Sequence, residues 1–99
     1  MTMENPTISH DPDTSAFLTQ VDGVQARLDY CRIGDTIAIT HTGVPREIGG
    51  RGIAAALVKA AFDYARQAGL KVRPDCSYAA AWLARHPQYA DLAASPQGA

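Results

Sequence analysis

The sequence lacks several features that define large classes of proteins. It has only two cysteines and three scattered histidines, which excludes a disulfide framework and gives no zinc-ligand spacing. Nine Lys and Arg residues against ten Asp and Glu leave a net charge of −1, without the basic excess of a nucleic-acid or membrane-surface footprint. No apolar run is long enough to span a membrane, and none follows a basic N-terminal segment. We therefore expect a cytoplasmic protein with reduced thiols, and neither a metal, a nucleic acid nor a membrane as its partner.

The chain length and the composition of the two ends predict one small domain. Ninety-nine residues bury about 64% of their unfolded surface, which is enough for a single modest core. Residues 1–14 and 95–99 carry few bulky apolar side chains, so their burial cannot offset the entropy lost on ordering. We predict a loose tail over residues 1–14, a structured domain over 15–94 and a flexible end over 95–99. The oligomeric state stays open, with a monomer as the simpler expectation.

A first turn dipeptide predicts an antiparallel hairpin. Asp22-Gly23 suits a two-residue type I′ turn between two stretches that alternate apolar and polar residues. Counting outward from this turn pairs Val21 with Val24 and Phe17 with Leu28. These pairs share one face, which we expect to be buried.

A second turn extends the hairpin into a three-stranded meander. Gly34-Asp35 supplies another two-residue turn, which pairs Tyr30 with Ile39 and Leu28 with His41. His41 therefore falls on the apolar face, where an imidazole needs an explanation. It is either a core histidine with satisfied ring nitrogens or a catalytic group.

The second half of the chain changes to helical periodicity. Apolar residues from Ile53 to Ala68 recur at helical spacing, and Gly69 is a natural C-terminal stop. Residues 70–73 then form a short strand candidate, and residues 78–85 a second helix. A strand, a helix and a strand in this order predict a right-handed crossover with parallel strands, and leave open whether these two strands are immediate neighbours.

A glycine-rich stretch, residues 49–54, connects the last meander strand to the long helix. The first amides of a helix lack internal partners and carry a positive dipole, so glycines there let a phosphate or diphosphate approach closely. The alternative is a flexible turn without a ligand. The stretch has neither the Gly-Lys-Ser/Thr ending of a Walker loop nor a complete dinucleotide fingerprint.

Cys76 is the candidate nucleophile. It follows the second parallel strand and precedes the second helix, where a helix dipole lowers a thiol pKa. The carboxyl ends of parallel strands meet at one edge of a sheet, so Cys76 and the glycine-rich stretch could share a cleft. The alternative is a buried, inert thiol. Placing His41 nearby would let its imidazole take the thiol proton or orient an acceptor.

These motifs, in this order, resemble the very small single-domain members of the GNAT superfamily of acyl-CoA N-acyltransferases. The resemblance covers about residues 15–92, and its loop is usually written Gln/Arg-x-x-Gly-x-Gly/Ala. Gly49 stands where the family has Gln or Arg, which removes one polar side chain but leaves the backbone amides. The segments that carry the resemblance are residues 41–45, 50–54, 69–72, 74, 76–78 and 86–92.

The resemblance implies an α/β fold in which an antiparallel meander leads into a β-α-β unit with splayed parallel strands and a short C-terminal helix. It implies acetyl-CoA as cosubstrate, an unidentified amine as acceptor, and either direct transfer or an acetyl-Cys76 intermediate. A CoA-binding module without appreciable turnover is the alternative function. The candidate catalytic residues are Cys76 and His41. The candidate CoA-binding residues are Thr42, Gly43, Val44, Gly49, Gly50, Arg51, Gly52, Ile53 and Ala54.

Overall fold

The computed structural model describes residues 7–50 and 52–94, which form one five-stranded sheet with two α-helices. The strands lie in chain order across the sheet, and the last pair alone is parallel. This arrangement matches the mixed α/β architecture that the resemblance implies. The strands are β1 (Ser9–Asp11), β2 (Ala16–Val21), β3 (Val24–Ile33), β4 (Thr36–Gly43) and β5 (Lys71–Pro74). The helices are α1 (Ile53–Ala68) and α2 (Ser77–Ala84), with 3₁₀ helices at Arg46–Ile48 and Pro87–Leu92.

The hairpin between β2 and β3 has the predicted register. Asp22 and Gly23 both have positive φ angles, 52° and 76°, as a type I′ turn requires. Phe17 consequently lies opposite Leu28. Both side chains are buried, which confirms the predicted inner face.

The prediction that Leu28 pairs with His41 is wrong because β4 contains a β-bulge. Tyr30 pairs with Ile39 as expected, but beyond this point Leu28 lies opposite Thr42. Thr40 is the extra residue in β4, and its hydroxyl donates to the Asp29 carbonyl oxygen at 3.3 Å. An extra residue exchanges the two faces of the strand from that point onward. His41 therefore leaves the apolar face and Thr42 joins it.

The N-terminal segment also differs from the prediction where the structure describes it; residues 1–6 of the predicted tail and the predicted flexible end, residues 95–99, lie outside the described residues. Residues 9–11, which we expected within a loose tail, form β1 and pair with β2 in antiparallel register. The Thr19 hydroxyl further donates to the Thr7 carbonyl oxygen at 2.7 Å. The composition of residues 9–11 did not predict this strand. It is held by contacts to β2, β3 and α1, which lie later in the chain.

The β-α-β unit follows the predicted pattern. Helix α1 ends at Ala68, and Gly69 follows with a φ of 74°, the left-handed conformation common after a helix C-terminus. Strands β4 and β5 pair in parallel from Thr36 opposite Lys71 to Ile39 opposite Pro74. Strand β4 continues for four further residues, whereas β5 ends, so the two strands share only part of their length.

Both helices contribute to one core. The buried stripe of α1 includes Leu57, Ala61 and Phe62, which belong to the same apolar cluster as Leu28. Trp82 of α2 packs against Phe62 with ring centroids 5.1 Å apart. This packing fixes the second helix beside the first. Within the described residues, no helix combines the length and apolar character needed to cross a membrane.

Candidate functional site

The glycine-rich stretch forms an open turn before α1. Gly50 and Gly52 have φ angles of 78° and 75°, and Gly52 is the N-cap residue of the helix. A residue other than glycine is strained in this left-handed backbone conformation. A Cβ built on either residue would meet no heavy atom within 4 Å. Arg51, a predicted CoA-binding residue, lies outside the described residues.

The start of α1 is suited to an anion. Within the described part of the chain, no side chain caps its first turn, and that turn contains no acidic residue. The Ile53 side chain is buried in the core, so only its backbone is available to a ligand. Gly49 is exposed and Ala54 is half-buried. Helix amides and a positive dipole in this setting can receive a phosphate or diphosphate.

The end of β4 and the start of α2 meet where the two parallel strands cease to pair. The backbone amide of Cys76 donates to the Ile39 carbonyl oxygen at 2.8 Å, which holds α2 at the last paired residue of β4. Thr42, Gly43 and Val44 continue beyond this point and are all half-buried. The structure thus brings two sets of predicted site residues, 42–44 and Cys76, to one edge of the sheet.

The Cys76 thiol is half-buried and is hydrogen-bonded on the inner face of the sheet. Its Sγ lies 3.7 Å from the Thr42 hydroxyl oxygen, and Thr42 shares a face with the core residue Leu28. Burial raises the thiol pKa, but backbone amides at Ala79 and Tyr78 and the Thr42 hydroxyl outweigh it, so the pKa lies below its ordinary value. Cys76 is also the N-cap residue of α2. In the thiol form Sγ donates to the Thr42 hydroxyl oxygen, whereas in the thiolate form the hydroxyl and the backbone amides donate to Sγ. These interactions favour the thiolate, which is the nucleophilic form.

His41 is not brought to this thiol. The β-bulge turns its side chain to the other face of β4, where it is exposed. A Cβ built on Gly43 would lie 3.0 Å from the His41 Nε2 atom, so the imidazole lies over Gly43. Adjacent strand residues point to opposite faces, and Thr42 points to the face of Cys76. The predicted catalytic pairing of His41 with Cys76 therefore lacks its geometric basis.

A cleft that sequence reasoning missed runs along α1 from Gly52. It has a volume of about 510 Å³, and the exposed side of α1 forms its floor with Ala55, Ala56 and Ala60. Trp82 of α2 and Ile8 also line it. Alanines on the outer side of the helix were the available signal, since small side chains leave space there.

A polar network borders this cleft. The Tyr89 hydroxyl donates to one Asp63 carboxylate oxygen at 2.6 Å, and the Lys59 ammonium donates to the other at 2.9 Å. Burial raises the Asp63 pKa, but its hydrogen bonds to Lys59 and Tyr89 outweigh this and hold the pKa below its ordinary value. Asp63 is therefore a carboxylate at neutral pH, and it ties the second 3₁₀ helix to α1.

Replacing Thr42 by valine should make the Cys76 thiol less reactive. Valine keeps the shape of threonine but removes the hydroxyl that lowers the thiol pKa, so less thiolate forms at neutral pH. We expect the iodoacetamide alkylation rate at pH 7 to fall several-fold and the rate profile to move to higher pH. Mass spectrometry in a Cys31→Ser background measures this, because the exposed Cys31 thiol would otherwise be alkylated as well. An unchanged profile would show that Thr42 does not influence the thiol.

The fold and this edge of the sheet define a class of protein. The domain is a minimal GNAT-like domain. It combines an antiparallel meander, a glycine-containing turn before a helix, and a final strand that pairs in parallel with only part of its neighbour. The family described as GCN5-related N-acetyltransferase matches residues 16–92, and the chain belongs to this family. Membership implies acetyl-CoA as the cosubstrate.

Relatives and a solved structure agree with this assignment. The chain is 34% identical to the protein NATD1 of Xenopus tropicalis over 83 residues, which covers 81% of this chain and 76% of that protein. It is also 34% identical to human NATD1 over 83 residues, covering 81% of this chain and 74% of NATD1. An NMR structure of a GCN5-like N-acetyltransferase candidate from Staphylococcus aureus superposes with a TM-score of 0.71. That protein is 30% identical, and the match covers 97% of this chain and 95% of the other.

Proposed function

We propose that the protein is a small N-acetyltransferase that takes acetyl from acetyl-CoA and passes it to an amine through Cys76. One observation carries this proposal. A half-buried thiol with a lowered pKa lies at the edge where β4 and β5 cease to pair, on the face of the sheet that also carries α1. A thiol beside a helix N-terminus, in surroundings that favour its thiolate form, is the arrangement that covalent transfer requires.

The carrier would follow the backbone from α1 towards Cys76. In this proposal the amides of residues 49–54 receive the CoA diphosphate, and residues 42–44 line the pantetheine arm. The partial pairing of β4 and β5 supports this path, since β4 amides beyond Ile39 lie outside the β5 ladder. The cleft that begins at Gly52 has space for the part of CoA beyond its diphosphate. CoA-binding roles at Gly49, Gly50, Ile53 and Ala54 rest on their backbone atoms.

The chemistry has two balanced steps. The Cys76 thiolate attacks the thioester carbon of acetyl-CoA, and a backbone amide near Gly43 or Val44 stabilises the oxyanion. The bond from the carbonyl carbon to the CoA sulfur breaks, and the CoA thiolate takes a proton from solvent. A neutral amine then attacks acetyl-Cys76, the new thioester bond breaks, and the amine loses its proton as the thiolate re-forms. The Cys76 thiol releases its proton to solvent, and the hydrogen-bond donors around Sγ stabilise the resulting thiolate, so the step needs no proton acceptor from His41.

Titration with acetyl-CoA followed by two-dimensional NMR tests the binding half of this proposal. We expect the largest shift changes at residues 42–44, 49–54 and 76, because these would contact the carrier. Gly34, at the tip of the distant hairpin turn, should not move. Acetyl-pantetheine lacks the diphosphate, so it should shift residues 42–44 and 76 but leave residues 49–54 unchanged.

Two results would contradict the binding proposal. The first is the absence of any chemical-shift change at acetyl-CoA concentrations near millimolar, which would mean that the domain does not bind acetyl-CoA. The second is a set of shifts confined to the outer face of β2 and β3, at Gln20 and Gln25. Either result would remove the glycine-rich stretch as a diphosphate site.

A further inference from the structure

His10 of β1 lies in an aromatic enclosure formed by three other elements. Its ring stacks on Phe17 of β2, with centroids 4.3 Å apart and planes inclined by 6°. Tyr64 of α1 lies against it with centroids 4.4 Å apart. The Nε2 atom is 2.6 Å from the hydroxyl oxygen of Tyr30 on β3. One imidazole thus joins β1 to its neighbouring strand, to the next strand and to the long helix.

This enclosure favours the neutral imidazole. Burial lowers the pKa of His10 below its ordinary value of 6.5, and the Asp11 carboxylate opposes part of this change. Burial also raises the pKa of Tyr30, so its phenol stays protonated and can donate to an unprotonated Nε2. Protonation makes both ring nitrogens donors, so the Tyr30 hydroxyl must rotate and accept. The face of Phe17 attracts a cation and offsets a part of the desolvation cost.

Within residues 7–50 and 52–94, the groups that face His10 supply no compensating charge beyond that of Asp11. Phe17 of β2 is apolar, while Tyr30 of β3 and Tyr64 of α1 are phenols. Arg32 of β3 acts on Tyr30 and lowers its pKa, which is a smaller effect than burial. Among the described residues, Asp11 is therefore the one carboxylate whose charge acts on a protonated His10, and it lies on the same strand.

Apart from its ladder with β2 and the hydrogen bond from the Thr19 hydroxyl to the Thr7 carbonyl oxygen, strand β1 has few other contacts that would hold it. It is three residues long, lies at the edge of the sheet and pairs only with β2 among the described strands. The preceding residue, Ile8, packs against the core cluster and lines the cleft along α1. Edge strands with few buried contacts open at low free-energy cost. Release of β1 would remove Ile8 from the wall of that cleft.

We propose that β1 is a pH-dependent strap, which neutral His10 holds across the sheet edge and which protonation of His10 releases together with Ile8. The contribution of His10 to docking is fully present above pH 6.5, the ordinary histidine value, and is lost as pH falls through the lowered value. The strap would thus open one side of the α1 cleft under mildly acidic conditions. This device does not depend on whether the protein transfers acetyl groups.

NMR relaxation of the full chain at pH 7.5 and at about pH 5 tests this proposal. We expect the amide order parameters of Ser9 and Asp11 to fall from rigid values towards about 0.6 or less at low pH. The Ile8 methyl signals should move towards unfolded positions with the same midpoint as the His10 ring protons, below pH 6.5. The amides of Ala26 and Leu28, in the β2–β3 hairpin, should stay rigid.

Substitution separates the strap from a general acid effect. His10→Phe keeps an aromatic ring against Phe17 but cannot be protonated, so β1 should stay docked at both pH values. His86→Phe is the matched control, because the His86 ring also stacks on an aromatic ring. Its centroid lies 3.9 Å from that of the Trp82 ring. The control variant should retain the wild-type release. The proposal is overturned if Ile8 and Ser9 do not respond while the His10 ring titrates. It is equally overturned if His10→Phe releases β1 at the wild-type pH.

Discussion

Replacing Cys76 by alanine abolishes the covalent acetyl adduct that we expect after incubation with acetyl-CoA. The thiol is the proposed acceptor of the acetyl group, and alanine has no atom that can form the thioester. Intact-mass spectrometry of the Cys31→Ser protein should show a mass increase of one acetyl group per chain. The double variant, which carries both Cys31→Ser and Cys76→Ala, should show no increase. Cys31→Ser is the appropriate background because Cys31 is exposed and could be acetylated without catalysis.

Binding must be measured with the same variant. Cys76→Ala should still bind acetyl-CoA, because the proposed diphosphate contacts come from residues 49–54. An adduct that persists in the double variant would eliminate Cys76 as the acetylated residue. No adduct in the parent protein, together with acetylation of an added amine, would indicate direct transfer. Binding without adduct or product would favour the CoA-binding module.

Replacing Phe62 by alanine should cause the largest loss of stability. The side chain is fully buried and contacts both Trp82, at 5.1 Å between ring centroids, and Tyr89, at 5.8 Å. Truncating a buried phenylalanine costs about 3–5 kcal/mol, from lost burial and the cavity that remains. The free energy of unfolding of a small domain is about 5–15 kcal/mol, so this loss is a large share of the total stability.

Urea unfolding monitored by circular dichroism measures this effect. Ile33→Ala is the matched control, because Ile33 is 51% exposed at the end of β3 and should change the free energy of unfolding by about 0.5 kcal/mol or less. The thermal midpoint of Phe62→Ala should fall by more than about 10 °C. Similar losses in both variants would contradict the assignment of Phe62 as the residue that joins α1 to α2 and the last 3₁₀ helix.

The strand registers show how far sequence reasoning reaches in this fold. Asp22-Gly23 and Gly34-Asp35 fix the pairs nearest to each turn, and those pairs are confirmed. The register changes only beyond Tyr30, where Thr40 forms the bulge. A bulge leaves one residue without a partner in the ladder, and its position depends on what both faces of the strand contact, so the alternation of residues in β4 did not place it at Thr40.

The same limit explains the error at the N-terminus. Strand β1 has little apolar content of its own, and it docks through His10 contacts to Phe17, Tyr30 and Tyr64. These partners lie on three different elements. A composition-based prediction counts the residues of a segment, but it does not count the surface that a folded domain offers to that segment.

The sequence by itself determined the two hairpin turns, the span of α1 to Gly69, the parallel orientation of β4 and β5 and the glycine opening before the helix, but not that β4 and β5 are direct neighbours. Turn dihedrals and helical periodicity arise among near neighbours, so a linear reading recovers them. Only the tertiary structure decided that Thr42, rather than His41, faces Cys76. Thr42 and Cys76 are separated by 34 positions in the sequence. That contact depends on a bulge and on where two strands part, and both result from packing between distant segments.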